Sequence, residues 1–438
     1  MGIGSIIFIV LFFGAMAFFG FNVKKVIANI NLGRAKKIND KKGERWKTMT
    51  LVALGQKKMF ARPVPAMLHM FIYVAFLLTQ IELIEIIIDG ISGSHRIFYP
   101  ALGGLYTLVI SIIEVLSVLA LVATFAFLAR RNLLKIPRFQ KSEMTGWPKL
   151  DGNIILYLEF LLVICIFTMN GADEAAHLAE GKGSYGFAMS QWYGPMIFGG
   201  METGTLHLLE RIGWWGHLTM VLVFMNYLPY SKHFHIFLAF PNVWYSNLEA
   251  KGRFSNMEAV TNEVKMMFDP EADPYAAPAE PVGEPQTFGV KDVTDLPWNS
   301  LLQAYTCTEC GRCTDNCPAN QTGKLLSPRK IMMDTRDRMV ELGDYKRKNG
   351  KDAIDEKTLI HDYISPEELW ACTTCNACTD ACPVNIDPLA IIVDLRRYLV
   401  MEESKAPTEL TGMFSNIENN GAVWQFPAAD RLKWKDED

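Results

Sequence analysis

Long apolar runs alternate with short charged connections through the first half of the chain. The runs fall at about Ile3–Val23, Val64–Asp89, Leu102–Ala129, Ile154–Met169 and Ile212–Leu228. A bilayer core of ~30 Å is crossed by ~20 helical residues, so each run is read as a membrane span, the fourth being the shortest. Lys24 and Lys25 follow the first run instead of preceding it. That is the pattern of a retained anchor, not of a cleaved signal peptide.

The connections predict a topology. Between the first and second runs lie Lys24, Lys25, Arg34, Lys36, Lys37, Lys41, Lys42, Arg45, Lys47, Lys57, Lys58 and Arg62, opposed only by Asp40 and Glu44. Between the third and fourth come Arg130, Arg131, Lys135, Arg138, Lys141 and Lys149 against Glu143. The other connections carry mainly Asp173, Glu174, Glu180 and Glu202, with Arg96 and Lys182 as exceptions. Basic loops stay in the cytoplasm, so the N-terminus is expected outside and the C-terminal half inside.

After Tyr245 the pattern changes. Residues 269–284 are rich in Pro, Ala and acid and read as an extended linker. From about Leu296 two similar repeats follow, each a cysteine run, a Cys-Pro step and an amphipathic helix, expected at Ser327–Met339 and Pro388–Val400. A polar tail with Trp424, Phe426 and Trp434 closes the chain and is expected to lie on a partner or on the membrane domain.

Composition agrees with a part in lipid: of 438 residues half are hydrophobic, 21% are charged, and mean hydropathy is +0.11. The net charge of -4 gives no reason to expect a nucleic-acid partner.

Eight of the nine cysteines form two runs, Cys307-x2-Cys310-x2-Cys313-x3-Cys317-Pro318 and Cys372-x2-Cys375-x2-Cys378-x3-Cys382-Pro383. Cys165, alone in an apolar stretch, is read as a small hydrophobe. Runs this dense point to metal in a reducing compartment, not to disulfides. Structural zinc takes paired C-x2-C elements and has no use for two complete four-cysteine runs. The spacing is that of two cubane 4Fe–4S clusters, in which the Cys-Pro cysteine of each run serves the other cluster. Cys307, Cys310, Cys313 and Cys382 are expected on one cluster, and Cys372, Cys375, Cys378 and Cys317 on the other.

The segments Ser327-Pro-Arg-Lys, Cys382-Pro-Val-Asn-Ile-Asp-Pro and Leu395-Arg-Arg make residues 300–400 resemble the dicluster ferredoxin module of heterodisulfide reductase C-type subunits. The iron–sulfur subunits of succinate dehydrogenase and glycolate oxidase carry related modules. The resemblance implies one-electron transfer without bond chemistry.

Histidine in a membrane helix is costly and usually functional. His69 lies near the start of the second run, His217 in the fifth, and His235 just past it. Eighteen helical residues are five turns, which would put His217 and His235 on one face about 27 Å apart. The stretch His217–His235, with its Pro-Tyr-Ser-Lys turn, resembles the last span of the cytochrome b subunit of respiratory nitrate reductase. That family has five spans with the N-terminus outside, and pairs the second helical histidine with one at the cytoplasmic end of span two. Carried over, His69 and His235 would ligate one haem b. The family's second histidine on span two is replaced here by Thr79, so His217 lacks its expected partner. One haem is expected, a second is possible with another ligand, and His217 would otherwise bond to quinone or to an acid such as Glu82. His233 is read as a propionate or surface contact, His95, His177 and His207 as loop histidines, and His361 as a surface residue. Four intramembrane acids, Glu82, Glu85, Glu114 and Glu159, are either paired inside the bundle, for instance with Arg211, or part of a proton route to a quinone.

The chain lacks a nucleotide-binding glycine fingerprint, since Gly2-Ile-Gly4 opens a membrane run, and it lacks a CCG signature. The expected architecture is mainly α: a five-helix transmembrane cytochrome b bundle (1–245), a linker (246–295), an α-helical dicluster ferredoxin domain (296–401) and a tail (402–438). The combination resembles membrane proteins of the heterodisulfide-reductase-like group, among them electron-transfer-flavoprotein:menaquinone oxidoreductases and membrane components of sulfite-reducing complexes. The resemblance implies a multi-pass protein of a bacterial or archaeal cytoplasmic membrane, acting within a quinone-linked oxidoreductase. Its soluble partner would be a flavoprotein or CCG-type iron–sulfur protein. The alternatives are a sulfite- or disulfide-reducing complex, a redox sensor, or a scaffold. Haem ligands inside the membrane argue against a scaffold, and a sensor would need an output domain.

Overall fold

The structure is a computed structural model that describes residues 2–269 and 287–436. Apart from Asp269, the expected linker over 269–284 lies outside the described residues. The described chain is mainly helical and forms no strand; two isolated bridges join Arg34 to Pro297 and Ile360 to Ile364. Its contacts divide it into two compact units. One comprises Met1–Ile30, Asn39–Tyr245 and Tyr305–Gly311; the other comprises Asn31–Ile38, Ser246–Ala304 and Arg312–Asp438.

In the first unit, the helices Ile3–Ile30, Pro63–Ser92, Gly104–Asn132 and Trp147–Ala179 are long and apolar enough to cross a membrane. Large apolar side chains such as Val10, Phe13, Leu108 and Val122 point outward, more than half exposed. In water such surfaces would be untenable over four helices, whereas in lipid they are the solvated face, and the chain is a membrane protein. The fifth apolar run lies in a 25-residue helix, Thr203–Tyr227, whose first half carries His207, Glu210 and Arg211.

Small residues set the spacing of these helices, as lipid-embedded packing requires. A Cβ on Gly213 would come within 2.5 Å of the Met169 backbone N, and one on Gly216 within 2.9 Å of Cys165 Sγ. Phe8, fully buried, fills the notch left by Gly90, where a Cβ would meet its ring at 2.4 Å.

Two sequence expectations change here. The fourth run is the middle of the 33-residue helix Trp147–Ala179, so Asp173, Glu174 and His177 are helical, and the two acids are buried. The uninterrupted helix from His217 to His235 is not formed. Pro229 has no N–H to continue the ladder, the chain passes through the short 3₁₀ segments Leu228–Tyr230 and Lys232–Phe234, and Ser231 between them is extended (φ −116°, ψ 149°). The new helix His235–Trp244 starts at His235 itself, so the five-turn alignment of the two histidines does not apply.

In the second unit, the helices after the cysteine runs extend over Pro328–Asn349 and Pro388–Met401 and pack on each other. The basic segment 31–38 belongs to this unit. Arg34 N–H donates to Leu296 O (2.8 Å), Trp298 N–H to Arg34 O (3.1 Å), and the Trp298 indole to Lys36 O (2.9 Å). Gly33 allows this approach, since a Cβ there would lie 2.7 Å from Leu296 O. In the tail, Trp424, Phe426 and Trp434 are each about two-thirds exposed or more.

Arg338, 1% exposed, donates to Asp292 Oδ2 and Asp355 Oδ2 at 2.6 Å each and to Lys357 O at 2.6 Å. It ties the entry of the unit to the loop after Asn349. Breaking one side of a buried ion pair typically costs about 3–5 kcal/mol, because the partner charges stay behind. Arg338→Ala is expected to lower the thermal unfolding midpoint of this unit clearly, read by circular dichroism in detergent; an unchanged midpoint would show the network to be idle.

Candidate metal centres

Each cysteine run is shaped by left-handed residues on both sides of its second cysteine. In the first run these are Glu309 (φ 54°) and Gly311 (φ 71°), and in the second Thr374 (φ 56°) and Asn376 (φ 61°). A left-handed β-branched residue such as Thr374 is strained and needs surroundings that enforce it. Its N–H points back to Cys372 Sγ at 3.4 Å, and that of Ile386 to Cys382 Sγ at 3.3 Å.

The repeats are anchored alike. Thr314, after the third cysteine of the first run, hydrogen-bonds through Oγ1 to Ser327 Oγ (2.9 Å), which caps the Pro328–Asn349 helix. Thr379, after the third cysteine of the second run, donates to Asp387 Oδ1 (3.0 Å), which caps the Pro388–Met401 helix. Ser and Asp are good N-caps, and proline at the first helical position costs no hydrogen bond. Arg396 holds the start of the second run by donating to Leu369 O (2.9 Å) while its guanidinium covers Trp370 at 4.8 Å.

Cys317, Cys372, Cys375 and Cys378 line one small pocket of about 10 Å³ in the second unit, walled by Leu326, Leu389 and Ile392. The cysteine of the first Cys-Pro step thus faces three cysteines of the second run. This donor set suits a cubane, four thiols in an apolar pocket without a carboxylate or imidazole. Among the described residues no three His, Cys, Asp or Glu side chains close on a single ion, and a cubane, which gives each thiolate its own iron, does not require it. Burial pushes the Cys378 thiol up to about 12, so protons leave when metal arrives. Of the other four, Cys307 and Cys310 belong to the first unit, and Cys313 and Cys382 to the second. All nine cysteines are free of disulfides.

Three histidines gather at one end of the first unit. His69 lies early in the Pro63–Ser92 helix with its ring stacked on Tyr73 (centroids 6.5 Å). His235 Nδ1 donates to Lys232 O at 3.1 Å, which leaves Nε2 with its lone pair, the tautomer an axial ligand needs. His233, set aside by the sequence reading, stands edge-on to His235 (centroids 5.3 Å) and stacked on Phe224 (5.1 Å). Burial, then the charges of His235 and His69, hold His233 well below its ordinary range, so all three rings lie within electrostatic reach. Two neutral imidazoles beside a third fit the chemistry of haem ligation. His217 is buried and donates from Nδ1 to Leu162 O at 3.2 Å. It therefore has a protein partner and does not bond to Glu82.

The turn carrying these histidines is fixed by Asp151. Its Oδ1 accepts from Tyr227 OH and Ser231 OH (2.6 Å each), and its Oδ2 from Lys232 N–H (3.2 Å). Lys232 Nζ in turn donates to Pro148 O (2.6 Å) and forms a buried ion pair with Glu309. Glu309 is the left-handed residue between Cys307 and Cys310, so the first cysteine run is bonded directly to the histidine turn. Sequence reading missed this, because a lysine in a basic turn and an acid between cysteines give no sign that they meet.

The remaining histidines have local partners: His95 with Asp173 (3.2 Å), His177 with Gly183 O (2.8 Å), His207 with Glu180 (2.8 Å) and His361 with Glu403 (2.9 Å). Arg211 pairs with its neighbour Glu210, not with the span acids, and Arg96, expected in a loop, is buried among them.

Residues 306–386 match the 4Fe-4S dicluster domain family. Over 99% of this chain and 61% of its own length, the "Probable iron-sulfur-binding oxidoreductase FadF" of Bacillus subtilis is 28% identical. The "EtfAB:quinone oxidoreductase" of Syntrophomonas wolfei is 26% identical over 91% of this chain and 55% of its own length. The C-type component of the ferredoxin/F(420)H(2)-dependent CoB-CoM heterodisulfide reductase of Methanosarcina acetivorans is 33% identical over 24% of this chain and 52% of that protein. The chain thus spans little more than half the length of these relatives. No solved structure matches it significantly. It is a relative of iron–sulfur oxidoreductases that carries a 4Fe-4S dicluster domain behind a set of apolar helices.

Proposed function

We propose that this chain passes electrons between a soluble redox partner and the membrane quinone pool through two 4Fe–4S clusters and one haem b. Cys307, Cys310, Cys313 and Cys382 hold one cluster, and Cys317, Cys372, Cys375 and Cys378 the other. His69 and His235 ligate the haem at the cytoplasmic end of five spans, the fifth being Thr203–Tyr227. The observation that carries this reading is the Lys232–Glu309 ion pair. It couples the loop between two cluster ligands to the turn that presents His235, and so supports a direct step from the first cluster to the haem.

The partner is a flavoprotein of the electron-transfer type, as the name of the Syntrophomonas relative suggests. The match to a heterodisulfide reductase component favours a second reading, in which the partner is a disulfide-reducing iron–sulfur protein. The test is anaerobic single turnover of the purified protein. After chemical reduction, adding a water-soluble menaquinone analogue should reoxidise clusters and haem together, at least ten times faster than in a haem-free His69→Ala variant. Clusters and haem that stay reduced in the wild-type protein would refute quinone as the acceptor.

A further inference from the structure

Around Glu82 lies a group of buried acids with one buried cation. Glu85, Asp89 and Glu82 project from the Pro63–Ser92 helix, Glu114 from Gly104–Asn132, and Asp173 and Glu174 from Trp147–Ala179; Arg96 is the cation among them. Every neighbouring carboxylate has donors. Glu85 accepts from Tyr106 OH (2.6 Å) and Phe98 N–H (3.0 Å), and Asp89 from the N–H of Arg96 (2.8 Å) and Ser94 OH (2.6 Å). Glu114 accepts from the N–H groups of Met189 (2.8 Å) and Ser190 (3.1 Å), Asp173 from Arg96 and His95, and Glu174 from Tyr185 N–H (3.2 Å). These acids are explained by the structure they hold together.

Glu82 is not. It is 2% exposed, and neither carboxyl oxygen has a hydrogen-bond partner. An ionised carboxyl buried without a donor is too costly to keep, and a purely structural position would take an apolar residue more cheaply. What faces it is Glu85 one turn along, Glu114 and Asn170 across the bundle, Arg96 beyond them, and Tyr193 of the Ser190–Phe198 helix. The Asn170 amide donates to Glu114 (3.4 Å). Beside it, a hydrogen-bonded set starting at Glu85 holds the wall of the site. Glu85 meets Tyr106, Tyr106 meets Arg96 Nη1 (3.0 Å), Arg96 meets Asp173 (2.5 Å), and Asp173 meets His95, whose side chain is 47% exposed. Arg96 keeps its own proton and fixes Tyr106, Asn170 and Asp173 in place.

We propose that Glu82 is the proton-exchanging carboxyl of this chain. The inference rests on the proposed function for the quinone, which is the group the proton serves, but not for the carboxyl. The balance is quinone + 2 electrons + 2 protons ⇌ quinol, with electrons passing singly through the haem and each proton through Glu82. His69 and Glu82 lie on one helix about 20 Å apart, on the ~1.5 Å rise per residue.

The experiment compares the wild-type protein, Glu82→Gln and Glu82→Asp in nanodiscs. Reoxidation by a menaquinone analogue should be at least tenfold slower in Glu82→Gln and flat with pH, and partly restored in Glu82→Asp. Redox-difference infrared spectra should show a carboxylic-acid C=O band that moves on reduction in the wild-type protein and is missing in Glu82→Gln. Wild-type rates in Glu82→Gln, or no such band in the wild-type protein, would overturn the assignment while leaving quinone reactivity standing. If the band moves but no quinone reacts, the quinone reading fails and Glu82 remains a redox-linked proton site.

Discussion

Cys317→Ser is expected to destroy the cluster of the second cysteine run and to leave that of the first. The intact protein should hold about eight non-haem irons and eight labile sulfides, and the variant about half of each. The reason is the shared cavity: Cys317 lies with Cys372, Cys375 and Cys378 in one apolar pocket, 6% exposed, with no other ligand there to replace it. Serine keeps the size and removes the soft thiolate that iron–sulfur clusters select. EPR of the reduced variant, with iron counting, reads the outcome. Loss of only the cluster held by Cys307, Cys310 and Cys313 would refute the crossed assignment.

His235→Ala and His69→Ala should each remove the low-spin haem signal, from about one haem per chain to nearly none by pyridine haemochrome. The effect is large because a bis-imidazole iron losing one ligand has no substitute of equal strength beside it, except one. His233 stands 5.3 Å from His235, near enough to compete. The variants therefore include His233→Ala, which should retain the haem. Loss of haem there with retention in His235→Ala would exchange the two roles. His217→Ala should also keep the haem, since His217 donates to Leu162 O and is not among the His69, His233 and His235 group. A second haem per chain, lost on replacing His217, would show a distal site with another ligand.

The apolar runs were legible because a helix in lipid needs about 20 predominantly apolar residues, and the structure forms helices at all five. Their ends were less so. Asp173 and Glu174 read as loop residues, yet the Trp147–Ala179 helix runs through them, because Arg96 and the N–H of Tyr185 supply the counter-charge and donor that make their burial possible. The break at Pro229 was visible as a proline, but an unbroken count of five helical turns from His217 to His235 passed over it.

What the amino-acid order determined by itself is local: helix-length apolar runs and the cysteine spacings. Each depends on residues a few positions apart, so covalent geometry and near-neighbour bonding settle it. What only the tertiary structure decided is long-range: segment 31–38 bonded into the second unit, Lys232 meeting Glu309, and Glu82 left without a donor among satisfied acids. These depend on which buried charge finds which partner across tens or hundreds of residues. A single sequence carries no periodic signal for such a pairing, because it is chosen by the desolvation cost of leaving either group alone.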